Sequence, residues 1–278
     1  MKKPNSLATI IFAFLISLTT HAAIQYYPSQ FQDQIAKHKL IDQELKDELF
    51  SILSLAHTRT SKGNDTLGCD QVKGKCITHT ALGYGPARKY LYGQLHVESD
   101  SRGTFLKEVY CNREERISTR NIAAPNASKI NCEHTWPQSK FNKAFNIELQ
   151  KSDLHHLFPT DTAANSTRGN YDFAEVVTNL NLKNCEASKS GASVTSGGST
   201  YFEPPNEHKG NVARALFYFS VRYRISMNVK QQMFLKKWND QDPVDDAEIS
   251  RNNQIEKLQG NRNPFIDYPN LAQDISKF

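Results

Sequence analysis

The sequence predicts an α+β fold, with helices at both ends of the chain around a modest central sheet. Three observations carry that expectation. Leu40, Ile41, Leu45, Leu49, Phe50, Ile52, Leu53 and Leu55 recur at three- and four-residue spacing, as one buried helix face requires. Largely apolar runs of helical type recur over 211–258. Between them, Gly, Pro, Asn and Asp cut the chain into short apolar pieces that suit strands and turns.

Taken in order, residues 1–22 read as an export leader. Lys2 and Lys3 precede an apolar core, and Thr20 and Ala22 place small residues at −3 and −1 of a cut after Ala22. Residues 23–278 then form one domain. Helix is expected over 28–57, and loop with short strand over 58–80, where Gly63, Gly68 and Gly74 fall. The segment 84–96 starts as helix and ends extended. A turn at Asp100-Ser101-Arg102-Gly103 precedes an apolar stretch that leads to Cys111. Residues 129–133 read as a strand, 135–151 as an extended excursion, and 153–158 as a second strand that Pro159 ends. Thr160 or Asp161 can cap a short helix that carries Asn165. Residues 186–209, rich in Gly, Ser and Pro, read as a long surface loop. Helix follows over 211–227 and 230–238, breaks at Asp242-Pro243, resumes over 247–258 and stops at Gly260.

The formal charge of +5 falls to +3 once the leader's two lysines are removed, which permits a polyanion partner without requiring one. All five cysteines lie beyond the leader. Cys69 and Cys76 bracket a short loop that can close on itself, and a second bridge would draw on Cys111, Cys132 and Cys185. Their spacing does not match a structural zinc site. No segment after the leader is apolar enough to span a bilayer, so an exported monomer without stable membrane association is expected.

The chemistry concentrates in 129–173. Glu133-His134, then Asp153-Leu154-His155-His156, then Asn165 and Arg168 fall within a few dozen residues. Phosphodiester hydrolysis needs an activated water and cover for charge growing on the phosphoryl and leaving oxygens. Imidazole at its ordinary pKa of about 6.5 accepts a proton at neutral pH. Carboxylate and amide oxygens suit a hard divalent ion that keeps most of its water. Adjacent strand residues point to opposite sides, so Glu133 and His134 need not compete for one position. Asp153, His155 and His156 read as supports that orient other groups. Arg113, Arg116 and Arg120 form a candidate phosphate-facing rim.

The block 131–139 (NCEHTWPQS), the block 153–159 (DLHHLFP), Asn165 and Arg168-Gly169-Asn170 resemble the bacterial endonuclease I family, exported nucleases with a ββα-metal motif. More distant similarity covers 87–96, the region of Tyr110 to Arg113, and 259–269. The resemblance implies a non-specific, periplasmic or secreted endonuclease acting on DNA and often RNA through the phosphate backbone. It implies His134 as general base, Glu133 and Asn165 as ligands of one Mg²⁺ (with Ca²⁺ or Mn²⁺ as alternatives), and 5′-phosphate products. Residues 135–152 lack the arginine that some members place there; Arg168, with Lys140 behind it, is the substitute candidate. A ribonuclease of the same family and a non-catalytic nucleic-acid-binding protein are the rival expectations.

Overall fold

The computed structural model describes residues 24–69, 73–117, 125–180, 182, 184–193 and 198–278. The leader expected over 1–22, and Arg120, lie outside the described residues. The fold is mixed, with helices and small antiparallel sheets.

The N-terminal apolar stripe forms two helices, α1 (Ser29–Ala36) and α2 (Asp42–Ser54), rather than one. The chain breaks between them, where His38 takes a φ of 49°. Phe31, Leu45, Leu49, Ile52 and Leu53 are buried in the main core. Strand β1 (His57–Arg59) lies between β2 (Thr66–Leu67) and β3 (Lys75–Ile77), and a Cys69–Cys76 disulfide closes this sheet. Helix α3 (Tyr84–Tyr90) runs into a π turn at Leu91–Leu95. Then β4 (Val97–Asp100) turns back through Ser101 and Arg102 into β5 (Gly103–Lys107), which β6 (Glu114–Arg116) joins.

Strand β7 (Ile130–His134) pairs with β8 (Leu157–Asp161), and α5 (Thr162–Arg168) follows β8 at once. Asp161 caps α5, its carboxylate accepting from the Ala163 and Ala164 N–H groups. Between β7 and β8 the excursion is partly helical. It holds a 3₁₀ turn at Gln138–Lys140, α4 (Ile147–Lys151) capped by the Asn146 side chain, and a 3₁₀ turn at Leu154–His156. The second strand therefore begins later than expected and contains Pro159. The register explains this. Thr135 N–H donates to the His156 carbonyl, so that pair and Glu133/Phe158 are hydrogen-bonded positions. Cys132/Pro159, the next pair beyond Glu133/Phe158, is therefore a non-hydrogen-bonded position, where a missing N–H costs the ladder nothing.

Residues 186–209 are also not one loop. They contain β10 (Lys189–Ser193), which pairs with β9 (Val176–Asn179) and with β11 (Thr200–Glu203). Gly191 sits so near β9 that a Cβ there would lie 1.7 Å from the Thr178 carbonyl oxygen, which explains glycine in this strand. Among the described residues, the one modest mixed sheet is corrected to four small sheets whose strands pair antiparallel, with a lone parallel bridge between Phe173 and Phe202. Short connections allow that arrangement, whereas parallel neighbours need long crossovers.

Helix α6 (Lys209–Arg222) is buried almost throughout and packs on α2, on the 154–156 turn, on α7 (Val229–Gln241) and on α9 (Pro264–Asp267). Helix α8 (Asp246–Gln259) ends at Gly260 in the left-handed conformation, φ 84°. The β7/β8 hairpin lies between two apolar clusters. Ile130, Cys132 and Leu157 join Ala87, Leu91, Tyr92 and Ile255, while Trp136 and Ala164 join the main core. The site is thus built on a strand pair held from both sides.

Cys111 bridges Cys185, and Cys132 remains a buried thiol. The Cys111–Cys185 bridge closes 74 residues and Cys69–Cys76 closes 7. Loop entropy then predicts losses of about 4.5 and about 2.5 kcal/mol respectively on their removal. Urea titration of the two double Cys→Ser variants measures this; equal losses would defeat the entropic account.

Candidate active site

The cleft at the end of the hairpin has a volume of about 510 Å³. Its lining includes Glu133 and His134 from β7, Asn165 and Arg168 from α5, Tyr84 from α3, and Gln138. Strand, excursion, strand and short helix therefore bring Glu133, His134 and Asn165 to one site.

Glu133 is 2% exposed, so its charge needs compensation. Its Oε1 accepts from Arg168 Nη1 at 2.7 Å and from the Tyr110 hydroxyl at 2.8 Å. Burial raises the carboxyl pKa, against the opposing pull of Arg168 and Tyr110. Oε2 takes no hydrogen bond from the described residues. Asn165 is partly exposed, and its side-chain amide likewise has no partner among them.

His134 reaches different partners, as strand alternation expects. Its Nε2 lies 3.1 Å from the Lys151 carbonyl oxygen. A carbonyl only accepts, so Nε2 carries the proton and Nδ1 the lone pair. The Gln138 amide nitrogen is 3.3 Å from Nδ1. The ring packs near Tyr84, Phe141 and His156. Burial pushes its pKa down to about 4; the Lys151 carbonyl opposes this, and the charges of Lys151 and Arg168 add to it. The ring is therefore neutral at pH 7 and able to accept a proton.

The other nominated residues take different places. Arg168 turns inward: besides Glu133 it donates to the carbonyls of His134 (3.0 Å) and Thr135 (2.6 Å), with its guanidinium 4.5 Å from the centroid of the Phe173 ring. It braces the end of β7 and orients Glu133. Asp153 is buried under α6, where Tyr218, Arg222 and Tyr223 all donate to its Oδ2. His155 Nε2 meets the Asn261 carbonyl and His156 Nε2 the Gln150 carbonyl. Burial pushes both imidazoles down to about 3. None of Asp153, His155 and His156 lines the cleft. Arg113 pairs with Asp161, Arg116 with Asp100 and Glu114, and Lys140 with Asp172.

Tyr110 was missed as a site residue. It reaches Glu133 across 23 residues, from a turn held by Glu108 and the Cys111–Cys185 bridge. Glu108 accepts from the backbone N–H groups of Tyr110, Cys111, Arg113 and Asp161, tying that turn to the start of α5. In the sequence it is marked by its nearness to Cys111 and by the family resemblance of the Tyr110 to Arg113 region.

A buried carboxylate held by an arginine, beside a histidine of fixed tautomer in an open cleft, defines a site suited to proton transfer from water. Residues 71–270 match the model of the Endonuclease I family, and the chain belongs to that family. It is 38% identical over 215 residues to an extracellular ribonuclease of Bacillus subtilis (strain 168), covering 71% of this chain and 69% of the relative. An extracellular ribonuclease of Bacillus amyloliquefaciens is 37% identical, over 59% of this chain and 58% of that protein. A periplasmic deoxyribonuclease of Aeromonas hydrophila is 28% identical, over 59% of this chain and 68% of its own.

Proposed function

We propose that the chain is an exported endonuclease that hydrolyses phosphodiester bonds of DNA and RNA, and that β7, β8 and α5 are its ββα-metal motif. The observation that carries the reading is the His134 tautomer: Nε2 is spent on the Lys151 carbonyl, leaving Nδ1 as the base. Nδ1 takes the proton of a water seated where the Gln138 amide now lies. The bond to Lys151 stays in place and supports the imidazolium that forms. Burial of His134 keeps it unprotonated until that step.

The donor set fits a hard divalent cation such as Mg²⁺. Glu133 offers an oxygen without a hydrogen bond, Asn165 offers an amide oxygen, and Arg168 with Tyr110 fixes the carboxylate. Two oxygen donors suit an ion that keeps water and takes phosphate oxygens. When bound, such an ion neutralises charge on the phosphoryl and leaving oxygens. Ca²⁺ and Mn²⁺ present the same preference for oxygen.

Export fits relatives that are extracellular or periplasmic and two disulfides, which an oxidising compartment preserves. No helix among the described residues is long and apolar enough to cross a membrane. A ribonuclease with little action on DNA is the second reading, favoured by the higher identity to the two ribonucleases than to the deoxyribonuclease. Cleavage of matched duplex DNA and single-stranded RNA, with Mg²⁺ and with EDTA, separates them. Cutting of both that stops in EDTA is the expected result. RNA cutting alone selects the second reading, and undiminished cutting in EDTA removes the metal.

A further inference from the structure

A nucleic-acid strand brings a charge with every nucleotide, so the cleft needs cations that can accept phosphate. The described cations nominated from sequence are already engaged: Arg113, Arg116, Lys140 and Arg168 each hold a carboxylate. Two cations beside the cleft are not. The guanidinium carbon of Arg88, on α3, lies 5.7 Å from the ring centroids of both Tyr84 and Tyr92. Among the described residues it has no carboxylate in ion-pair range, and its buried Nε lacks an acceptor. Lys151, the last residue of α4, holds Nζ 4.8 Å from the centroid of the Tyr84 ring, also without a carboxylate partner there. Tyr84 lines the cleft, with its ring centroid 5.4 Å from that of His134.

We propose that Arg88 and Lys151, flanking Tyr84, bind the phosphates of the substrate strand beside His134. The inference rests on the nuclease reading above. An aromatic face holds a cation in place through weak attraction and leaves its N–H donors open. A cation already in an ion pair must give up that partner before it can take a phosphate. Arg88 and Lys151 start without that cost. Both charges lie within 6 Å of the centroid of one ring, Tyr84, which lines the cleft and packs beside His134. The remaining N–H groups of Arg88 suit two oxygens of one phosphate, while Lys151 supplies a point charge.

The test is binding of a labelled DNA duplex and a labelled single-stranded RNA, followed by fluorescence anisotropy across a salt series. His134→Ala is the parent, so that the substrate survives. Each phosphate contact contributes roughly 0.7–0.9 to the slope of log affinity against log salt. Arg88→Gln and Lys151→Gln should each lower the slope by about that amount, and the double variant by about twice as much. Arg88→Lys should keep the slope, which separates lost charge from disturbed packing against Tyr92. Arg224→Gln, whose guanidinium pairs with Asp47 and does not line the cleft, should leave it unchanged. In the active chain, Arg88→Gln should raise KM more than it lowers kcat. A double variant with the parent's slope would overturn the assignment while leaving the nuclease reading intact. A parent that binds neither polymer would overturn both.

Discussion

His134→Ala is expected to lower kcat for phosphodiester cleavage by about 10²–10⁴-fold, the usual worth of a positioned general base. The expectation comes from the atom left free. With Nε2 donating to the Lys151 carbonyl, Nδ1 holds the only imidazole lone pair, and the cleft that His134 shares with Glu133 and Asn165 is where a water would meet it. Alanine removes that acceptor but leaves Glu133, Asn165 and their supports in place. Substrate affinity should therefore change little. Single-turnover cleavage, with anisotropy for binding, measures the two separately. A variant within threefold of the parent's kcat would place the base elsewhere.

The largest stability effect should come from Asp153→Ala. Its carboxylate is buried and accepts from Tyr218, Arg222, Tyr223, Gln259 and the His155 N–H. Removing it leaves the Arg222 guanidinium, itself 4% exposed, without its counter-charge. Breaking one partner of a buried pair costs about 3–5 kcal/mol. The pH dependence has a definite sign. Burial raises the Asp153 carboxyl pKa, but Arg222, with smaller contributions from His155, His156 and Gln259, outweighs it and holds the group below its ordinary value. The stabilisation is thus complete above the unfolded value of about 3.9 and fades as pH falls toward the folded one. Chemical denaturation of parent and variant at pH 7 and pH 3 tests this: the gap should be wide at pH 7 and narrower at pH 3. A gap below 1 kcal/mol at pH 7 would remove Asp153 from this role.

These two residues show what the sequence can and cannot disclose. The apolar stripe of α2, the cap at Asp161 and the stop at Gly260 are local signals, and each matches the structure. The gathering of Glu133, His134 and Asn165 was legible because a strand, a strand and a capped helix adjoin in the chain. Asp153 was different. Its hydroxyl and guanidinium donors arrive from 65 to 70 residues away, so nothing near it announces a structural hub. Arg168 looked available for phosphate because its acceptors, including two backbone carbonyls, lie 33 to 35 residues earlier. Strand β10 was hidden by its own composition: Lys-Ser-Gly-Ala-Ser has little strand preference, and its order comes from neighbours on both sides.

The partner that orients His134 is a main-chain oxygen. In triad-type sites a carboxylate side chain sets the imidazole tautomer, and one codon change can remove it. Here every amino acid at position 151 would present the same carbonyl, so long as α4 and its Asn146 cap keep their path. The side chain of that residue is consequently released from the duty its backbone performs. Position 151 can drift in size without disturbing that bond, whereas a change of its charge also shifts the His134 pKa, which the Lys151 ammonium helps to lower. A directed-evolution library at this single codon would therefore explore substrate affinity with the His134 tautomer kept constant.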